Sequence, residues 1–197
     1  MRFTAVAATV ALGVCLVPAP ASAAETPAEV RPVSSVDLGR YQGRWVQVAA
    51  IPQPFQAHCV RNDNAVYTPL PDGQVKVVNS CTRAGGVPSS LEGRARRTDP
   101  ASPAKLQVSF ARTADGWSFD KPGTYWVIGL DRDYRWAVIG APGRRTGFVI
   151  SRSPAPSRKD VAGMTKALLR NGYDLCEFRI TAQDGGAPES VPLCAAR

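Results

Sequence analysis

The chain has 197 residues, with 24 lysines and arginines against 16 acids and a formal net charge of +8. That length supports one domain. The basic residues are scattered, among them Arg94, Arg96, Arg97, Arg132, Arg135, Arg144 and Arg145, and no run of five like charges occurs. A nucleic-acid-binding arm is therefore excluded, whereas peripheral attraction to anionic lipid headgroups is not.

Residues 1–23 read as a secretory signal peptide. Arg2 precedes an apolar run from Ala5 to Val17, and Ala21-Ser22-Ala23 fits a small-x-small cleavage site before Ala24. The run falls short of the roughly 20 apolar residues that span a bilayer, and no later segment is longer. Cys15 lies inside the run behind Val14, a poor context for lipidation. Cleavage would leave 23 basic residues against 16 acids, a charge of +7, on an extracytoplasmic, secreted protein.

Residues 24–35, rich in Pro, Ala, Ser and Val, read as a flexible N-terminal arm. Short strands then alternate with turn signals. Arg44–Ile51 alternates around Trp45, Val46 and Val48, and Pro52 and Pro54 open a long loop. Ala65–Leu70 and Gln74–Thr82 flank Pro71-Asp72-Gly73, a hairpin signal. Leu91–Arg97 and Lys105–Ala111 follow, the latter alternating through Leu106, Val108 and Phe110. A loop holds Asp115-Gly116. Tyr125–Leu130 is apolar almost throughout, and Arg135–Gly140 and Gly147–Arg152 complete eight strands. A meander of eight leaves two exposed edges unless it closes, and closure at this number encloses room for side chains or one small ligand. The fold class is therefore all-β, an eight-stranded antiparallel up-and-down barrel.

One helix follows, with Ser157 as N-cap, Asp160 three residues on, and Asn171-Gly172 at its end. Val161, Met164 and Leu168 form one apolar face against the barrel wall. A short ninth strand is expected over Cys176–Thr181, and the tail from residue 184 is tied down through Cys194. Four cysteines remain after cleavage, an even count that reads as two disulfides in an exported protein. Cys59 and Cys81 fall at the open rim on neighbouring strands, which favours Cys59–Cys81 with Cys176–Cys194. Cys59–Cys194 with Cys81–Cys176 stays open. No C-x-x-C pair exists and His58 is the sole histidine, so neither a metal nor another cofactor is expected.

Three separated motifs resemble the lipocalin family, and its bacterial lipocalin and apolipoprotein D branch most. Gly43-Arg44-Trp45 matches the G-x-W of the first strand. Leu130-Asp131 with Tyr134 is similar to the T-D-x-x-Y region, and Ile150-Ser151-Arg152 matches the arginine that ends the last strand. Phe55-Gln56, Asn79, Gly93 and Tyr125-Trp126 agree in detail. The resemblance runs from residue 36 to residue 183, the extent of the domain. It implies that Gly43, Trp45 and Arg152 close the base, with the guanidinium stacked on the indole.

The resemblance also implies a cavity lined by Tyr67, Asn79, Trp126 and Phe148. Strand alternation adds Gln47, Val108 and Phe110, and places Ala49 inside with Gln47; Val77 and Ile128 complete the candidate set. The branch usually carries Tyr-Glu after its tryptophan, where Val46-Gln47 stands here, so the cavity is expected to lose a negative charge and accept acidic ligands more easily. The implied function is carriage of a fatty acid, lysophospholipid or similar lipid by a monomer or weak dimer, with no catalysis and no nucleic-acid partner. Two alternatives stand: a lipocalin-fold enzyme acting on a hydrophobic substrate, which would need a free thiol or a base beyond His58, and a rim-mediated protein-binding module.

Overall fold

The computed structural model describes residues 29–120 and 123–196. The expected signal peptide, its cleavage site and Cys15 lie outside those residues. A single helical turn, α1 (Leu38–Tyr41), is capped by Asp37, whose carboxylate accepts the backbone N–H groups of Gly39 and Arg40. Then come β1 (Gly43–Ala50), β2 (Cys59–Pro69), β3 (Val75–Arg83), β4 (Pro88–Arg97) and β5 (Lys105–Ser109). A small hairpin, β6 (Arg112–Thr113) and β7 (Gly116–Trp117), turns at Ala114-Asp115. The chain continues through β8 (Tyr125–Leu130), β9 (Trp136–Gly140) and β10 (Gly147–Ser151), then α2 (Arg158–Arg170) and β11 (Arg179–Ile180).

The eight long strands pair antiparallel with their neighbours, and β10 returns to pair with β1. The barrel is closed, which removes the free edges a meander would leave. Its base carries α1 and the turns at 70–74, 98–104 and 131–135. Its mouth carries the connections at 51–58, 84–87, 110–124 and 141–146. Near the mouth β1 and β2 diverge, because their pairing stops at Val46–Asn64. The C-terminal segment fills that gap: β11 pairs with Ala49 and Ala50, Thr181 N–H donates to Val48, and Asn62 N–H donates to the carbonyl of Ala182.

Burial separates two apolar layers. The inner one holds Tyr41, Trp45, Tyr67, Val77, Leu106, Tyr125 and Ile150. The outer one packs Met164, Ala167 and Leu168 of α2 against Ile128, Val138 and Val149. Ser157 caps α2 by accepting Asp160 N–H at 3.2 Å.

Several expectations are corrected. β2 begins at Cys59 rather than Ala65, and β4 at Pro88 rather than Leu91. Val161 faces solvent, and Ala167 takes its place on the packed face of α2. The ninth strand is only two residues long, because Asp174 caps a tight 3-10 turn over Leu175–Glu177 that carries Cys176. Residues 29–35 are no loose arm. Val30 is buried in the outer layer, Arg31 N–H donates to Asn171 Oδ1 at 2.7 Å, and Val33 N–H donates to Val127.

Candidate functional site

At the base, Trp45 is fully buried and its indole N–H donates to the Tyr41 carbonyl at 2.7 Å. The Arg152 guanidinium lies 3.8 Å from the indole centroid. It donates to the carbonyls of Arg44 (2.8 Å), Arg40 (2.9 Å), Gln42 (2.9 Å) and Tyr134 (3.3 Å). One side chain thus ties the last strand to the first strand, α1 and the 131–135 turn. Gly43 adopts φ +89°, and a Cβ there would stand 3.5 Å from Arg152 Nη1. In the adjoining turn, hydrogen bonds from Arg135 hold the Asp131 carboxyl down to about 2. Tyr134 Oη accepts Asp37 N–H at 2.9 Å.

Above Trp45 lies a floor of three phenols. Tyr125 donates to Tyr67 Oη at 3.0 Å, which leaves Tyr41 to donate to Tyr125 at 2.8 Å. Burial pushes the Tyr67 hydroxyl up to about 12 and raises Tyr41 and Tyr125 as well. The floor is tightly packed: the cavity beside it, lined by Leu38, Tyr67, Val75, Ala95, Leu106 and Tyr125, offers about 20 Å³. That is room for about one water.

The usable space is therefore the upper half, where inward-facing side chains become exposed. Val77 is buried, but Asn79, two residues higher on the same face, is exposed, and its neighbour across the ladder, Leu91, is 55% exposed. Phe110 is 37% exposed, and its ring covers Gly93, where a Cβ would come within 2.6 Å of it. Val108 and Phe148 pack on the inner layer, and the Phe148 ring meets Tyr125 edge-on at 5.6 Å. From Val77 to Cys81 the wall rises about 13 Å. Of the expected contacts, Gln47, Val77, Asn79, Phe110 and Phe148 face this space, Tyr67 lies in its floor, and Val108 borders the small floor cavity below it.

Trp126 and Ile128 do not face it. They sit in the outer layer, and Lys105 Nζ stands 4.2 Å from the Trp126 ring. Tyr125 and Val127 are the inward residues of β8. Ala49 is also outside. A register shift between Gln47 and Ala49 pairs Ala49 with outward Val149, and turns Ala50 inward opposite Phe148.

The structure adds a polar group that the sequence reading missed. Gln56, in the mouth loop, donates through Nε2 to Gln47 Oε1 at 3.2 Å and to Asp63 Oδ1 at 3.4 Å. Gln47 Nε2 donates to Thr181 Oγ1, and Gln183 Nε2 donates to the carbonyls of Gln47 and Asp63. Asp63 shares the inward face of Ala65 and Tyr67 and is only 9% exposed. Burial raises its carboxyl from 3.8 to about 6, against its own backbone N–H. The expectation that Gln47 leaves the interior short of a carboxylate is thereby corrected, because Asp63 supplies one beside it.

The lipocalin-like domain family matches residues 36–183. The chain belongs to the lipocalin family. Temperature-induced lipocalin-1 of Arabidopsis thaliana is 33% identical over 163 residues, 82% of this chain and 87% of that protein. Outer membrane lipoprotein Blc of Escherichia coli K12 is 31% identical, covering 81% and 86%, and rat apolipoprotein D is 32% identical, covering 75% and 76%. Among solved structures, insecticyanin from the tobacco hornworm superposes with a TM-score of 0.61 at 19% identity, over 83% of this chain and 89% of that one.

This lipocalin has disulfides Cys59–Cys81, at the mouth, and Cys176–Cys194, in the tail. His58, Cys59 and Cys81 bring their ligand atoms within 4.8 Å, but the disulfide occupies both sulfurs. On the outer face of β2–β4, Asn64, Ser80 and Ser90 line a polar groove of about 300 Å³. Phe55, Val60 and Val87 leave apolar surface on the rim of the mouth, Phe55 at 71% exposure. No described helix is long and apolar enough to cross a membrane.

Proposed function

We propose that this lipocalin carries a small hydrophobic ligand, such as a fatty acid or lysophospholipid, in the upper half of its barrel and performs no chemistry on it. The family binds small hydrophobic ligands. The observation that carries the reading is the change along the inner wall from a sealed floor at Tyr67 and Tyr125 to open apolar surface at Leu91 and Phe110, with Phe148 half-buried beside them. Each methylene moved out of water there is worth about 0.8 kcal/mol, so a dozen gain up to about 10 kcal/mol. Loss of ligand freedom returns about 4 kcal/mol or more. At most about 6 kcal/mol is left, a Kd of about 40 μM, without a charged anchor.

Export is part of the same reading. It is supported by the leader-like residues 1–23 and by two disulfides, which persist outside the cytoplasm. A non-catalytic role is supported by the pairing of all four cysteines after the leader and by His58, which is exposed in the mouth loop. Native mass spectrometry of protein purified without detergent tests the proposal. A retained lipid, lost in a Leu91→Trp variant that fills the funnel, is the expected result. Equal lipid retention in both proteins would overturn it.

A further inference from the structure

Asp63 has a poor set of partners for a carboxylate inside a protein. It faces the interior, is nine-tenths buried, and receives one long side-chain hydrogen bond, 3.4 Å from Gln56. Among the described residues no cation pairs with it. The nearest arginine in sequence, Arg61, is bound to Asp184 at 2.6 Å. The amides around it, Gln47, Gln56 and Gln183, are neutral and already donate to Thr181 Oγ1, to Gln47 Oε1 and to backbone carbonyls respectively. A buried carboxylate in that state is costly unless a cation reaches it. Gln56, the one side chain across it, is half-buried and belongs to the exposed 3-10 turn beside Phe55, so it can swing aside at the mouth.

We infer that Asp63 is the anchor for a positively charged group, and that the preferred ligand is an amphiphile with an ammonium on an apolar body. This rests on the carrier reading and names its ligand class. The apolar body lies along Leu91, Val108 and Phe148, and the ammonium displaces Gln56 and pairs with the Asp63 carboxylate beside Gln47.

The test compares decylamine, decanol and decanoate by titration calorimetry at pH 8 and fixed low ionic strength. The parent protein is expected to bind decylamine about tenfold tighter than decanol, about 1.4 kcal/mol, and decanoate weakest. Asp63→Asn is expected to equalise decylamine and decanol. Gln47→Lys, which sets a cation beside the carboxylate, is expected to abolish the decylamine preference as well and serves if Asp63→Asn does not fold. Decylamine binding no tighter than decanol in the parent, or an unchanged preference in either variant, would overturn the inference. Failure of all three probes to bind would instead count against the carrier reading.

Discussion

The Asp63 carboxyl makes a stability prediction with a definite sign. Its pKa rises from 3.8 to about 6 on folding. Below about pH 4 it is protonated in both states and costs nothing. As pH climbs from 4 to 6 the unfolded chain releases the proton while the folded chain holds it, so stability falls, and above 6 the full penalty applies. Two units correspond to a ceiling of about 3 kcal/mol, and solvent reaching the site from the mouth brings this to about 1–3 kcal/mol. Asp63→Asn removes the charge at nearly constant shape. Urea unfolding of parent and variant at pH 4 and pH 7.5, with disulfides intact, is the assay. The variant is expected to be more stable by about 1–3 kcal/mol at pH 7.5 and by no more than about 0.5 kcal/mol at pH 4. Taking the difference cancels carboxylates of opposite sign. Asp131, held down to about 2, adds stability that is lost as pH falls from 3.8 toward 2 in both proteins. A variant no more stable at pH 7.5 than at pH 4, relative to its parent, would refute the reasoning.

Other outcomes follow from the same geometry. Arg152→Ala removes the indole stack and five carbonyl contacts at the base, and should cost about 2–4 kcal/mol in urea unfolding; a loss under about 1 kcal/mol would show the base closes without it. Replacing Cys59 and Cys81 by serine releases a cross-link spanning 22 positions, expected to cost about 3 kcal/mol on the chain-entropy account; an unchanged urea midpoint would contradict it. Trp126→Phe touches only the outer face, so ligand affinity by fluorescence displacement should not change, and a marked loss would mean that β8 presents its other face to the ligand.

Closure of the barrel was legible because turn signals bounded eight short runs that alternate or stay apolar. The base was legible because Gly43, Trp45 and Arg152 occupy motif positions. Parity failed where alternation carries no information. Tyr125–Leu130 is apolar on both sides, since one face lines the barrel and the other meets α2, so nothing in that run says that Tyr125, not Trp126, points inward. The register shift after Gln47 reversed Ala49 for the same kind of reason, because β-bulges leave little trace in composition. Asp63 falls outside the alternating run that begins at Ala65, so the run itself does not assign it a face. Counting back by two from Tyr67 through Ala65 reaches Asp63, and that signal could have placed it inside. The anchoring of residues 29–35 depends on Asn171 and Val127, distant in sequence, and had no local signal.

The central claim is that a guest occupies the upper half of the barrel, above Tyr67 and Tyr125. Intermolecular NMR contacts between the methylenes of bound decanol and assigned side chains test this most directly. Contacts to Leu91, Val108 and Phe148 are predicted, with none to Trp126. Contacts confined to the outer groove at Asn64, Ser80 and Ser90 would contradict the account.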